Sequence, residues 1–376
     1  MIKMKKNIFI FGHYGEKNTG DDAMIYALLS ELHKIYPESN FSIISPRKLF
    51  VPPQTENRIK IVKPSPINVF KEIMSSYTFI MGGGTQIYDY GMTVERFKSL
   101  FQIFLMMILA KIFCEKIYFV NIGVEPFKTT VGKLLSKNIC QLADFISVRD
   151  NDSYKVLKNI GIKHVKNSFD LAVLLDYQVK LNNNKNNILG LSVLPFYGIY
   201  HNVNDLDKLI VDEIADKVSI WLKQDLRNKI CLFIFKGKSR ADDYEITYML
   251  NKRLKNQKQV EIVHYSPNPF KTLSKIRECN FFIGMRYHSC LFAYLSGIPL
   301  MVITYFKKCE SLAKEIKLTD DAFITPEEIL EGKFEIYLKH LQENPDDFKS
   351  KLSIANSRKM SKSGLDMLYL NFKGGL

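Results

Sequence analysis

The sequence predicts an α/β protein built from two Rossmann-like domains that face each other across a cleft. The chain has 376 residues, too many for one core of ordinary size. Short apolar strands alternate with helical stretches from end to end, as in parallel sheets wound with helices. A polar, asparagine-rich stretch without periodicity interrupts this alternation. We therefore expect an N-terminal domain over 1–178, a linker over 179–187, a C-terminal domain over 188–330 and closing helices over 331–376, which could pack back on the first domain.

In the first half, short apolar runs that end in glycine or polar residues indicate the strands, and longer periodic stretches between them indicate the helices. Strands are predicted at Asn7–Gly12, Phe41–Ser45, Ile59–Val62, Thr78–Gly82, Ile117–Ile122 and Phe145–Val148. Helices are predicted at Asp21–Tyr36, Val94–Phe113, Gly132–Leu142 and Asp152–Asn159.

The same alternation restarts after the polar stretch. Strands are predicted at Ile188–Leu194, Ile230–Phe235, Val260–His264, Asn280–Met285 and Leu300–Thr304. Helices are predicted at Asp205–Gln224, Asp242–Lys255, Phe270–Glu278 and Ser289–Ser296, and the last 45 or so residues are also predicted to be helical.

The helix Val94–Phe113 is unusually apolar, and its uninterrupted apolar core runs from Ile103 to Ala110. That core is well short of the roughly 20 residues that cross a bilayer. Two interpretations remain. The helix is buried against a sheet, or its outer face rests in a membrane interface, because Lys98, Lys111 and Lys116 flank it.

The chain carries a formal net charge of +14, from 53 basic and 39 acidic residues. Nucleic acid, an anionic membrane surface and small anionic substrates are the partner classes that such a charge favours. The basic residues are spread along the chain and form no nucleic-acid-binding motif, so we expect no nucleic-acid partner. The six cysteines are isolated and no secretory signal precedes them, which fits a cytoplasmic protein without disulfides. No spacing of His, Cys or Glu predicts a metal site.

Two glycine-rich loops follow predicted strands of the first half. The first contains Asn18, Gly20 and Asp21 and matches neither a dinucleotide-binding nor a P-loop pattern. Asp21 and the adjacent Asp22 either cap the next helix, or Asp21 accepts a hydrogen bond or a proton from a ligand hydroxyl. The second loop contains Gly82, Gly83 and Gly84. Close approach of a ligand to the backbone explains three consecutive glycines better than packing does.

Basic side chains follow several strands at their carboxyl ends, where ligands of open α/β sheets bind. Arg149 follows the strand Phe145–Val148, and Arg286 and His288 follow Asn280–Met285. Lys307 and Lys308 come shortly after the next strand, and either lysine could face the site. Guanidinium, imidazole and ammonium groups that converge on one crevice predict a site for a small, highly charged anion.

Taken together and in order, these motifs resemble the polysaccharide pyruvyl transferase family. The matching pieces cover about residues 7–310 and are Gly15-x-x-Asn18-x-Gly20-Asp21-Asp22-Ala23, Gly82-Gly83-Gly84, Ile122-Gly123 with Pro126, Ser147-Val148-Arg149-Asp150-x-x-Ser153, Asp170, and Arg286-x-His288 through Gly297-x-Pro299 to Tyr305-x-x-Lys308.

The resemblance implies a fold like that of two-domain glycosyltransferases of the B type. It also implies transfer of a pyruvyl group from phosphoenolpyruvate onto two hydroxyls of a sugar, which forms a cyclic ketal and releases phosphate. The sugar would belong to a precursor of a surface polysaccharide such as a capsule or exopolysaccharide. Phosphoenolpyruvate would be a co-substrate, and no cofactor is expected.

By the same resemblance, Arg149, His288 and Lys308 would contact phosphoenolpyruvate, with Arg286 beside them. We hypothesise that His288 is the general acid and that Asp21 orients or deprotonates the acceptor. Asn18, Gly20 and the Gly82–Gly84 loop are expected to contact the acceptor, either with a side chain or with the protein backbone.

The resemblance also leads us to expect a polyprenyl-diphosphate-linked oligosaccharide as the acceptor. It would suit a cytoplasmic enzyme in peripheral contact with the inner face of the membrane. Two alternatives stay open at this point: a nucleotide-sugar-dependent glycosyltransferase of the same fold, and a non-catalytic relative that binds a glycan or an anion.

Overall fold

The computed structural model describes residues 7–89, 94–176, 187–200, 203–238, 242–254, 257–305 and 307–373. The chain forms two compact units. The first unit runs to Glu16, resumes over Asp21–Leu175 and ends with the residues from Ala355 onward, whereas the second comprises Lys17–Gly20 and Asp176–Ile354. Of the predicted linker, residues 179–186 lie outside the described residues, as does Gln178, and Asn187 is the first residue of a strand.

The first unit contains a parallel sheet with the strand order β3-β2-β1-β4-β6-β7-β8, and a short strand, β5, pairs with β6 beyond that path. Its strands are β1 (Asn7–Phe11), β2 (Asn40–Ile44), β3 (Ile59–Val62), β4 (Thr78–Gly82), β5 (Thr85–Ile87), β6 (Lys116–Val124), β7 (Phe145–Val148) and β8 (Val165–Asn167). Its helices are α1 (Thr19–Ile35), α2 (Pro66–Ser75), α3 (Val94–Phe113), α4 (Thr130–Gln141) and α5 (Asn151–Asn159), joined by two helices at the end of the chain that are given below.

The strand order of this sheet reverses between β1 and β4, which are hydrogen-bonded neighbours. In an open α/β sheet, the carboxyl ends of the strands at such a reversal form a crevice. The loop after β1 and the Gly82–Gly84 loop after β4 therefore lie at the expected binding edge of the first unit.

The second unit contains a parallel sheet with the order β11-β10-β9-β12-β13-β14 within the described residues. Its strands are β9 (Asn187–Ser192), β10 (Asn228–Phe233), β11 (Val260–Val263), β12 (Phe281–Gly284), β13 (Leu300–Ile303) and β14 (Phe323–Ile324). Its helices are α6 (Phe196–Tyr200), α7 (Asn204–Gln224), α8 (Tyr244–Arg253), α9 (Pro269–Ile276), α10 (Tyr287–Ser296), α11 (Lys307–Glu315), α12 (Pro326–Leu330) and α13 (Phe334–Glu343). The reversal falls between β9 and β12, so the residues that follow β12 occupy the binding edge.

The helices α14 (Ile354–Ser363) and α15 (Asp366–Lys373) return to the first unit. The buried Asn121 side chain donates to the Ser361 carbonyl at 3.0 Å, and the Ser147 hydroxyl donates to the Gly364 carbonyl at 2.9 Å. An alanine at Gly364 would place its Cβ 1.8 Å from Asn121 Oδ1, so only glycine fits where the chain passes over the carboxyl ends of β6 and β7.

Each predicted strand and helix before residue 305 is confirmed, with bounds that differ by at most two residues, although Lys255 at the end of one predicted helix lies outside the described residues. The helical prediction for the end of the chain is also confirmed. Helix α2 was missed although its signal is present: Pro66 follows Ser65, whose hydroxyl accepts from the Asn68 N–H at 3.2 Å. Helix α11 was missed too, so the lysines expected at a strand end lie instead in the first turn of a helix.

Helix α3 has the predicted bounds and lies against the sheet. Its inner face buries Leu100, Ile103 and Met107, whereas Phe101 and Leu105 on its outer face are exposed. Burial of the helix against a sheet, one of the two interpretations, is therefore confirmed for its inner face, and contact of the outer face with a membrane stays a prediction. Within the described residues, no helix is both long and apolar enough to cross a membrane.

Candidate functional site

Residues 17–20, which we call the strap, pack within the second unit although they follow the first strand of the chain. The Thr19 N–H and hydroxyl both donate to the Phe235 carbonyl at 3.0 Å. The Gly237 N–H donates to the Lys17 carbonyl at 2.8 Å, and Asn18 forms an antiparallel bridge with Lys236. The strap thus pairs with the loop after β10 through backbone hydrogen bonds, which fixes its position in the second unit.

Asn18 caps helix α1. Its side-chain oxygen accepts from the Gly20 N–H at 3.1 Å, two positions further on, as an N-cap residue does. Asp21 and Asp22 are then not N-caps, which corrects one of the two interpretations of these residues. They lie in the first turn, where a carboxylate is stabilised by the helix dipole, and Asp22 is buried.

Gly20 lies directly against the imidazole of His288. A Cβ atom at Gly20 would lie 2.0 Å from His288 Nδ1 and 2.2 Å from Cγ. A ring that close leaves no room for any side chain, so glycine is required here by packing rather than by backbone angles. The structure therefore brings together Gly20 and His288, which are distant in sequence, and the strap limits where the imidazole can lie.

Arg286 is held by Asp243, a residue that the sequence did not single out. Arg286 Nε donates to Asp243 Oδ1 at 2.6 Å, and Nη2 contacts the same oxygen. The other carboxylate oxygen of Asp243 accepts from the Phe235 N–H at 3.0 Å and the Lys236 N–H at 2.9 Å. Asp243 is fully buried, and burial raises the pKa of its carboxyl, whereas the Arg286 charge and these N–H groups lower it.

One buried carboxylate therefore connects Arg286 to the loop that holds the strap. The prediction missed it because the pair Asp242 and Asp243 at a helix start suggests ordinary capping. Asp243 makes no capping hydrogen bond, and its guanidinium partner lies 43 residues away in sequence. No local pattern reveals such a contact.

Lys307 and Lys308 lie in the first turn of α11, together with the acidic Glu310, and α11 follows β13, the neighbour of β12. Lys307 is exposed, Lys308 is half-buried, and Phe306 before them lies outside the described residues. A helix N-terminus carries partial positive charge, so two lysines there raise the local positive potential and favour an anion.

In the first unit, the glycine loop after β4 lies next to Asp21. A Cβ at Gly84 would lie 3.7 Å from Asp21 Oδ1, and the buried Tyr14 hydroxyl donates to the Gly82 carbonyl. Burial, with the Asp21 charge as a smaller cause, raises the pKa of Tyr14. Asp21 thus lies beside the loop, and a shared role of the two in one site stays a prediction.

The three glycines of this loop have intramolecular reasons to be glycine. Gly83 and Gly84 have φ angles of 60° and 68°, and a Cβ at Gly82 would lie 2.5 Å from Leu28. Left-handed backbone and close packing therefore account for them without a ligand, which corrects the preference for close ligand approach. Ligand contact at the loop stays a prediction.

Arg149 lies inside a buried polar network of the first unit. Its guanidinium contacts Asp150 at 3.2 Å, Asp170 at 3.5 Å and the Thr85 hydroxyl at 3.1 Å. Asp150 also caps α5 by accepting from the Ser153 N–H at 2.6 Å. The Arg149 side chain is 5% exposed, so its contact with Asp150 is buried.

The structure thus joins the strap, Arg286 and His288 in the second unit, and joins Asp21 with the Gly82–Gly84 loop in the first. Arg149 belongs to the first unit and lies near that loop through Thr85. Within the described residues, no three His, Cys, Asp or Glu side chains come together as metal ligands would.

Solved structures with the same fold include sugar-nucleotide enzymes. MnaA of S. aureus in complex with UDP superposes with a TM-score of 0.63 at 12% identity, over 98% of both chains. HepE of Anabaena with UDP and glucose gives 0.55 at 11%, over 98% of both chains. The UDP-GlcNAc 2-epimerase of Neisseria meningitidis bound to UDP-GlcNAc gives 0.55 at 11%, over 96% of this chain and 99% of that one.

These likenesses show the fold alone, and with the two parallel sheets they define an α/β protein of the glycosyltransferase B class, with two Rossmann-like domains. Among curated protein sequences, none matches this chain significantly. The profile of the polysaccharide pyruvyl transferase family matches residues 18–307, which is more than half of the chain. The chain therefore belongs to the polysaccharide pyruvyl transferase family.

Proposed function

We propose that this protein transfers the pyruvyl group of phosphoenolpyruvate onto two hydroxyls of a sugar in a surface-polysaccharide precursor. The observation that carries the proposal is a pair of helix N-termini with basic residues, after adjacent strands of the second unit. Helix α10 begins after Arg286 and has His288 in its first turn, and α11 begins with Lys307 and Lys308. First turns normally favour acidic residues, because the helix dipole repels cations there.

A bound anion would offset the repulsion between the helix dipoles and these basic side chains. Phosphoenolpyruvate carries a carboxylate and a phosphate, and both lose hydration when they bind. Arg286 can bind one anionic group in a fixed orientation because Asp243 holds its guanidinium. The ammonium of Lys307 or Lys308 can bind the other anionic group. Arg149 stays a further proposed donor contact, although its present partners are carboxylates.

The proposed reaction begins when His288 gives a proton to the enol methylene carbon of the donor. The former double-bond carbon then has oxocarbenium character, and one sugar hydroxyl attacks it and loses its proton. The second hydroxyl displaces phosphate from the same carbon and closes the cyclic ketal. Asp21 in the first unit is proposed to orient or deprotonate an acceptor hydroxyl. Acid–base assistance of this kind contributes roughly 10²–10⁴-fold to rates.

We further propose an acceptor that is linked to a polyprenyl diphosphate and presented at the inner face of the membrane, for capsule or exopolysaccharide synthesis. The net charge of +14 supports an anionic partner of this kind. The protein would then work in the cytoplasm in peripheral contact with the membrane, and no cofactor is proposed besides the phosphoenolpyruvate co-substrate.

The test is to incubate the protein with phosphoenolpyruvate and sugar acceptors and to measure both released phosphate and the gain of one pyruvyl unit by the acceptor. UDP-glucose is the competing donor, since HepE and MnaA bind UDP. Transfer of glucose instead of pyruvate would refute the proposal in favour of a glycosyltransferase. Donor binding without any transfer would favour a non-catalytic relative.

The role of His288 is tested by replacement with Ala, which we expect to lower turnover roughly 10²–10⁴-fold. The matched control is His264→Ala, because His264 is an exposed histidine of the same unit that lies beside Tyr244 and Tyr248. Equal turnover of the two variants would refute the assignment of His288 as the acid.

A further inference from the structure

Three helices of the first unit form one layer, in which α3 packs between α2 and α4. Their inner sides belong to the hydrophobic core, where Ile73, Leu100, Met107 and Ile139 are fully buried. The inner side of the layer therefore packs on the sheet beneath it.

The outer side of this layer is also apolar. Six large hydrophobic side chains define what we call the apolar face, and their exposed fractions range from 40% to 67%. They are Ile67, Phe70, Phe101, Leu105, Ile112 and Leu134. Scattered exposed hydrophobics are normal on a soluble protein, but a cluster on three adjacent helices indicates an interaction surface.

The polar residues of the same helices are mostly basic. Together, α2, α3 and α4 contain six Lys or Arg residues and two Glu residues. One of the two, Glu72, is buried and pairs with Lys60. Lys71, Lys98 and Lys133 are exposed beside the apolar face. An apolar stripe with a basic border is the pattern of a helix that lies in the plane of an anionic bilayer surface.

We infer that the apolar face docks the protein on an anionic lipid bilayer, with the three helices parallel to the membrane plane. A second copy of the chain fits less well, because two such faces would bring like charges together. The inference identifies the surface for the membrane contact in the proposed function, and rests on that contact but not on the donor chemistry.

The test is flotation of the full-length protein with vesicles of phosphatidylcholine alone or mixed with phosphatidylglycerol. The test variant combines Phe101→Glu with Leu105→Glu. We expect the wild type to float with the anionic vesicles and the variant to lose affinity at least tenfold. Burial of the exposed 40% of Phe101 and 45% of Leu105 contributes about threefold or more for each residue, and the two factors multiply. The matched control, Leu209→Glu with Ile336→Glu, changes exposed residues of the second unit, which are 53% and 68% exposed, and should bind like the wild type.

The contribution of the basic residues to vesicle binding is tested separately with the double variant Lys98→Gln and Lys133→Gln. The control is the double variant Lys223→Gln and Lys229→Gln on the second unit. We expect each lysine near the lipid to contribute about fivefold, so only the first pair should bind weakly. Thermal melts of every variant test whether it is folded, and a variant with a melt like that of the wild type is compared in flotation.

Three results would overturn the inference: no binding to anionic vesicles, equal losses in test and control variants, or a dimer that Phe101→Glu with Leu105→Glu dissociates. Binding of phosphoenolpyruvate without vesicles is measured in parallel. Its absence would refute the donor proposal and leave the docking result intact, whereas normal donor binding without flotation refutes the docking inference and the membrane contact but leaves the donor proposal intact.

Discussion

Replacing Gly20 with Ala tests whether the strap positions His288. The new Cβ would lie 2.0 Å from His288 Nδ1, so the ring must retreat by about 1.4 Å to reach an ordinary contact distance of 3.4 Å. A misplacement of about 1 Å in a catalytic group can lower the rate about 10²-fold. Global stability should change little, because alanine is favoured over glycine in a helix by about 1 kcal/mol and this gain offsets part of the clash.

The assay measures phosphoenolpyruvate-dependent phosphate release together with the thermal midpoint of unfolding. We expect a loss of roughly 10²-fold in kcat and a thermal midpoint close to that of the wild type. The NMR signal of the His288 ring, assigned with His288→Ala, reports the displacement without any activity and should move. Gly332→Ala is the control, since Gly332 has a φ angle of 80° and no neighbouring atom within 4 Å of its Cβ position.

The control carries the backbone cost of a left-handed residue, about 1 kcal/mol, without a clash in the site. Its kcat and its His288 signal should therefore match the wild type. If Gly20→Ala leaves both the kcat and the ring signal unchanged, the strap does not position His288 and the reasoning fails.

Three further results are expected. Arg149→Ala should lower the free energy of unfolding by about 3–5 kcal/mol in urea titrations, because it removes the guanidinium that contacts the buried carboxylate of Asp170. Asp243→Ala should raise the KM for phosphoenolpyruvate more than it lowers kcat in the phosphate-release assay, because Arg286 loses its orientation. Stability should fall as the pH rises from 10 to 12, since burial raises the pKa of Tyr36 from 10.0 to about 12, so that the unfolded state loses this proton first.

Each of these results has its control. Arg58→Ala breaks an exposed contact with Glu38 and should cost less than 1 kcal/mol, so an equal cost at Arg149 would contradict a buried network. Asp243→Asn keeps an oxygen that accepts from the backbone N–H groups of Phe235 and Lys236. It should therefore be more stable than Asp243→Ala, but its KM for phosphoenolpyruvate should stay raised. The Tyr36→Phe variant should show a smaller loss of stability between pH 10 and 12, and an unchanged slope would exclude Tyr36 as a contributor.

Much of the fold could be predicted, because apolar runs and helical periodicity are local properties of the chain. Helix α3 begins and ends at the predicted residues. The loop with Asn18 and Gly20 follows the first strand, as predicted. The short strands β5 and β8 were missed because three residues carry too little pattern.

The sequence by itself determined the parallel α/β class and the positions of Arg149 and Arg286 just after their strands, because apolar runs and the residues that follow them are local features of the chain. Only the tertiary structure decided that Asp243 orients Arg286 and that Gly20 confines His288. These contacts join residues that are 43 and 268 positions apart, and the packing of whole elements sets them. The burial of Arg149 between two carboxylates is decided in the same way, since the exposure of a side chain depends on what folds over it.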